Sequence, residues 1–178
     1  MRIIAGQLGG RLFEAPSGHR THPMAEKIRG ALFSALGDID GLTVLDAYTG
    51  SGALGFEAVS RGAKHVTAVD IDKSAITTVV NNISELEVEG HIKAIRANIS
   101  GWLTTNPDAL FDIILVDPPY DMVKENVLQS LAERLSPLGI IVYSLPPGYE
   151  LSLLDSRFKL LSSKSYGDAT LAFYRKIS

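Results

Sequence analysis

A chain of 178 residues, 46% apolar and 21% charged, suits one soluble domain with a full core. The absence of cysteine excludes disulfides, a thiolate nucleophile and cysteine-ligated zinc or iron–sulfur centres. Net charge is −3, yet residues 1–30 carry Arg2, Arg11, Arg20, Lys27 and Arg29 against Glu14 and Glu26, so a basic arm precedes an acidic body, a split that suits a polyanionic partner.

In chain order, "RIIAGQLGGRLFEA" reads as a β-hairpin over residues 2–14 turning at Gly9 and Gly10. "PSGHRTHP" reads as loop. A helix over 24–36 follows, started by Thr21 or a neighbour, with Ile28, Leu32 and Leu36 on one stripe and Gly37 ending it. From Thr43 onward, strands at 43–46, 65–70, 92–96, 111–116 and 139–144 alternate with helices near 52–61, 73–86 and 123–135 and a short helical piece at 99–106. That rhythm predicts an α/β fold, a parallel sheet with helices on both faces. The segments 157–166 and 170–175, joined by "GDA", predict an antiparallel pair and so one reversed strand in the sheet. No apolar run reaches membrane-spanning length and the N-terminus carries no signal-peptide core, so a cytoplasmic protein is expected.

The stretch "VLDAYTGSGALGFEA" leaves the first strand and opens a helix, with Gly50, Gly52 and Gly55 in G-x-G-x-x-G spacing and Asp70 at the end of the second strand, where it can accept from ribose hydroxyls. Glycines alone would suit a dinucleotide. Asp46 argues otherwise, because a fixed carboxylate beside a pyrophosphate meets like charge at about 1 to 4 kcal/mol per pair at 4 Å in solvent-like surroundings. S-adenosylmethionine carries a sulfonium and an ammonium, which suit Asp46, and a carboxylate that suits the amides of a helix N-terminus. Asn98, just past the third strand, is placed to meet the adenine edge, with Ile71 or Ile99 against the ring.

The second signal is "IILVDPPYD". Asp117 ends a strand buried on both faces, and Pro118 and Pro119 force the chain out along a stiff path without backbone donors. Asp117 and the Pro118 carbonyl can accept from an exocyclic amine while Tyr120 stacks on the ring that bears it, a contact of about 1 to 3 kcal/mol. Such acceptors aim the nitrogen lone pair at an electrophilic methyl, and no strong base is required. Asp121 reads as a cap for the next helix.

"DPPY" with the glycine loop resembles the class I S-adenosylmethionine-dependent methyltransferases of base amino groups. More narrowly, "RIIAGQLGGR", "THPMAEKIRGALFSAL", "DPPY" and "YGDATLAFYR" are together similar to the RsmD family of bacterial guanine-N2 methyltransferases of small-subunit (16S) ribosomal RNA. The resemblance implies a Rossmann-like sheet of about seven strands, S-adenosylmethionine as donor, and 16S rRNA in the small subunit or its assembly intermediate as partner. It implies Asp46, Tyr48, Gly50, Gly52, Asp70, Ile71, Asn98 and Ile99 at the cofactor, and Asp117, Pro118 and Tyr120 at the base. Arg11, Arg20, His22, Lys27 and Arg29 would face RNA, dividing the chain into a hairpin and basic arm, 1–22, and a methyltransferase domain, 23–178. This sequence departs from the family at His22 (usually arginine), Gly30 (usually acidic), Tyr48-Thr49 (usually phenylalanine-alanine) and Asn98 (usually aspartate). A monomer without metal is expected, since Pro23 and the loop context argue against His19 and His22 as a ligand pair. Two other readings stay open: an adenine-N6 methyltransferase on DNA or RNA, since the corner suits any exocyclic amine, and a non-catalytic S-adenosylmethionine- or RNA-binding protein.

Overall fold

Apolar runs with β-branched residues form five parallel strands, β1 (Thr43–Ala47), β2 (His65–Asp70), β3 (Ile92–Arg96), β4 (Phe111–Val116) and β5 (Leu135–Leu145), in a computed structural model that describes residues 1–17, 24–149, 155–167 and 169–177. β6 (Phe158–Tyr166) and β7 (Ala169–Lys176) complete a seven-stranded sheet of order β3-β2-β1-β4-β5-β7-β6. β7 runs antiparallel to both neighbours, so it is the single reversed strand the sequence predicts.

Among the described residues five α-helices cover the sheet: α1 (Glu26–Leu36), α2 (Ala53–Ser60), α3 (Lys73–Leu86), α4 (Ile99–Thr105) and α5 (Glu125–Ala132). Side-chain alternation along the strands sorts the core into two layers. Leu32 and Phe33 of α1, Phe56 of α2 and Val79 of α3 pack with Val44, Leu115 and Val142 on one face. Trp102 and Leu103 of α4 and Leu128 and Leu131 of α5 pack with Leu45, Val116 and Tyr143 on the other. Each such side chain contributes about 1.5–3 kcal/mol on burial. The chain winds outward from β1 to β3, then returns to lay β4 on the other flank of β1, which opens a crevice at the carboxyl ends of β1 and β4.

Three expectations shift. The helix read near 123–135 is α5, shorter at both ends, with Lys124 as its N-cap and a 3-10 turn, Tyr120–Met122, before it. Asp121 therefore does not cap α5. Pro118 and Pro119 lead directly into the turn, closed by Met122 N donating to Pro119 O at 2.8 Å, and Asp121 is exposed within it. β5 starts at Leu135 and not at 139, because Leu135 pairs with Phe111 across an irregularity, and Leu138 there takes a left-handed φ of 65°.

The hairpin read at 2–14 keeps one antiparallel bridge, Arg2 to Leu12. Within it Ile3 N donates to Arg11 O, Gly10 N to Ile3 O and Phe13 N to Met1 O, and helices meet further backbone groups. Buried Glu57 accepts from Ile4 N and Ala5 N, Ser60 Oγ accepts from Leu8 N, and Asn82 exchanges two hydrogen bonds with the backbone of Glu14. A Cβ on Gly6 would stand 1.9 Å from Ser60 O, so only glycine admits this approach. Ile3 and Phe13 belong to the same core layer as α1–α3. Thr21, the expected helix start, lies outside the described residues; α1 opens at Ala25 without a side-chain cap. No helix among the described residues is long and apolar enough to cross a membrane.

Candidate active site

β1 carries Asp46 to the crevice as a fully buried carboxylate. Its Oδ2 accepts from Thr49 Oγ1 at 2.5 Å and from Gly55 N at 3.0 Å. Its Oδ1 has no partner among the described residues. Burial pushes the carboxyl up to about 7; the Thr49 and Gly55 donors pull against that, and the charges of Asp117 and Asp70 add to it. Leaving a buried acceptor unpaired costs about 1–3 kcal/mol, and burying a charge costs more.

The glycine loop wraps this carboxylate. Thr49 N donates to Val69 O across β2, and Gly52 N closes on Thr49 O at 2.8 Å. Gly52 sits at φ 78°, where a Cβ would stand 2.6 Å from the Phe56 ring. Tyr48, not a glycine, is also left-handed at φ 64°, a strained conformation of the kind found at ligand clamps; burial and then Asp70 push its phenol up to about 12.

Asp70 ties the second strand to the loop, accepting from Gly50 N at 2.8 Å through Oδ2 and from Asp72 N at 2.9 Å through Oδ1. Each oxygen keeps lone-pair capacity for a hydroxyl donor. Asn98 is the N-cap of α4, its Oδ1 accepting from Ser100 N at 3.0 Å, so its amide NH2 is the end left to meet a base. Ile71 is 54% exposed, whereas Ile99 is buried in the layer beneath α4.

One residue past β4, Asp117 is partly buried, which pushes its carboxyl up, while a hydrogen bond from Ser144 of β5 pulls it down. Pro118 is buried, Pro119 is exposed, and Tyr120 is exposed at 43%. Asp46 and Asp117 thus occupy neighbouring strands at the switch point, close enough for each charge to oppose the other. The arrangement sets a buried carboxylate, one oxygen of it unpartnered among the described residues, near a second carboxylate flanked by an exposed aromatic.

Residues 1–175 match the family described as Conserved hypothetical protein 95. YlbH of Bacillus subtilis is 34% identical over 99% of both chains, and Ribosomal RNA small subunit methyltransferase D of Haemophilus influenzae is 28% identical over 98% of this chain and 93% of its own. The chain belongs to the RsmD family of methyltransferases. Among solved structures, yhhF of Escherichia coli overlays with a TM-score of 0.89 at 26% identity, covering 99% of this chain and 98% of that one. SMU.776, solved with SAH, shares the fold at a TM-score of 0.68 and 17% identity, over 84% of this chain and 48% of that one. The α/β class I methyltransferase fold follows.

The RsmD-type basic arm needs one correction. Arg29 is 1% exposed and cannot reach RNA: its guanidinium donates to Arg2 O at 2.6 Å and Met24 O at 3.4 Å and lies 3.7 Å from Glu57. A helix that buries this face takes the arginine inside, and Glu57 compensates it. Arg11 is exposed, but its guanidinium caps the last carbonyls of α3, Glu85 O and Leu86 O. Lys27 is exposed on α1. Arg20, His22 and His19 lie outside the described residues. Trp102 is 7% exposed with its ring tilted on Phe111. Among the described residues no group of three His, Asp or Glu could hold a metal ion. Thr49, Ser144 and Glu57 are absent from the residues the sequence singled out. A carboxylate within the otherwise apolar "ALGFEAV" was the readable signal for Glu57, whereas Ser144 gave none beyond a small polar residue inside "IIVYSL".

Proposed function

We propose that the protein transfers a methyl group from S-adenosylmethionine to the exocyclic N2 amine of a guanine in small-subunit (16S) ribosomal RNA. The observation that carries this reading is the unpartnered Oδ1 of buried Asp46 standing beside the Asp117–Tyr120 corner at the switch point. Family members named Ribosomal RNA small subunit methyltransferase D support the substrate class.

When bound, S-adenosylmethionine supplies an electrophilic methyl on a sulfonium. Asp46 Oδ1 offers the negative charge that a sulfonium or ammonium seeks. The loop through Gly50 and Gly52 gives a close backbone approach, Asp70 accepts from ribose hydroxyls, and Tyr48, Ile71, Ile99 and the Asn98 amide line the adenosine. Asp117 and the Pro118 carbonyl accept from the base amine and fix its lone-pair direction, while Tyr120 stacks on the ring. Holding the two reactants in line is the main source of acceleration. Asp117 acts as an orienting acceptor, since the nitrogen becomes acidic only after methylation. Arg20, His22, Arg11 and Lys27 are the candidates for RNA contact.

The test is methyl transfer from labelled cofactor to small subunits lacking the modification, followed by mapping of the modified base. Label on a guanine N2 is expected; label on adenine N6 would replace guanine with adenine as the target, and cofactor binding without transfer would make this a binding protein. Asp117→Ala should lower kcat by about 10²–10³ while leaving cofactor affinity within a few fold.

A further inference from the structure

β1, β4 and β5 are adjacent, and alternation fixes which of their residues share a face. Val44, Leu115 and Val142 point into the layer beneath α1–α3, whereas Leu45, Val116 and Tyr143 point into the layer beneath α4 and α5. Asp46, Asp117 and Ser144 each lie two residues beyond the first set, so all three share its face. Val116 pairs with Tyr143 at the end of the β4–β5 register, and Asp117 and Ser144 each follow one residue later on the same side. Asp46 pairs with Leu115, one pleat deeper.

Ser144 is only 3% exposed, and its backbone is fixed by pairing with Leu171 of β7, one residue past the pairing of Tyr143 with Val116 of β4. A buried hydroxyl in the middle of "IIVYSL" costs stability unless bonded, and the acceptor it meets is the Asp117 carboxylate. The charged group set against that carboxylate is Asp46 on β1, whose own carboxyl is pushed up by burial and then by the charges of Asp117 and Asp70. Among the described residues no lysine or arginine forms an ion pair with Asp117.

We propose that Ser144 is a positioning residue for methyl transfer, its hydroxyl donating to the Asp117 carboxylate so that the remaining acceptor positions of that carboxylate meet the base amine. The inference rests on the amine-methylating reading of the site. A carboxylate has about four lone-pair sites, so one donor from β5 leaves room for the amine while removing rotation of the group. Without the hydroxyl, the neighbouring acids and the buried setting favour the protonated carboxyl, which offers a donor where the amine needs an acceptor.

The experiment compares pH–rate profiles of methyl transfer for the wild type, Ser144→Ala and Ser144→Thr, with cofactor affinity measured by calorimetry as the check on folding. Ser144→Ala should lose about tenfold in kcat at neutral pH, with the acid limb of the profile moved up by about one pH unit, KM for the cofactor unchanged, and Thr restoring both. Ser144→Cys, nearly isosteric with a weak donor, replaces Ala should that variant fail to bind cofactor. An alanine or cysteine variant with wild-type rate and an unmoved acid limb overturns the proposal. No transfer by the wild type would instead strike the methylation reading, so the two failures are distinguishable.

Discussion

Asp46 and Glu57 lie eleven positions apart, both fully buried carboxylates, on the strand and the helix that flank one glycine loop. Glu57 is spent: Ile4 N, Ala5 N and Arg61 Nε donate to its oxygens and Arg29 stands beside it. Asp46 is half-spent, with Thr49 and Gly55 on one oxygen and nothing from the described residues on the other. Burial alone does not mark a functional acid. What separates the two is whether the protein's own donors exhaust the carboxylate, and only Asp46 keeps capacity for a ligand.

The contrast is broken most forcefully at Glu57. Glu57→Ala strands the Ile4 and Ala5 amides and leaves Arg29 without its counter-charge, so a loss of about 3–5 kcal/mol is expected from urea unfolding. Cofactor affinity of the folded fraction should hold. Asp46→Asn should reverse that pattern, with affinity for S-adenosylmethionine falling about 10- to 100-fold in calorimetry and stability preserved or raised at pH 7.

The sign follows from linkage. The folded-state value, about 7, lies above the unfolded carboxylate range, so the native state holds a proton that the unfolded chain has released. The ligand-free wild type should therefore lose stability as pH rises from about 4 through about 7, and Asp46→Asn should flatten that slope in melting curves. A smaller effect is expected at Asn82, whose amide pairs both ways with the Glu14 backbone: Asn82→Ala should cost about 1–3 kcal/mol. Smallest is Lys27→Ala, which should reduce the salt slope of RNA binding by about one with no change in melting temperature.

Strands buried on both faces read as short apolar runs, so β1 to β4 were legible to within a residue, and the switch-point acids were legible because glycines and prolines punctuate them. The N-terminal clasp was not. Its partners, Glu57, Ser60 and Asn82, sit on helices where polar residues ordinarily face water, and nothing local says that they turn inward to meet a hairpin's backbone. Arg29 misled for the same reason, since a cation in a basic segment reads as surface. Lys124 in place of Asp121 at the α5 cap shows the limit of cap rules next to two prolines, which set the chain's path before a side chain can.

The clasp also bears on the order in which the chain takes shape. Residues 1–17 are anchored by groups that lie 52 to 75 positions further along, from Ser60 to the carbonyl of Leu86. A ribosome therefore releases the hairpin before its docking helices exist, and during synthesis this segment waits for α2 and α3 before it can be fastened. Nascent chains arrested short of α3 should leave this segment open to protease, with protection arriving only once both helices have emerged.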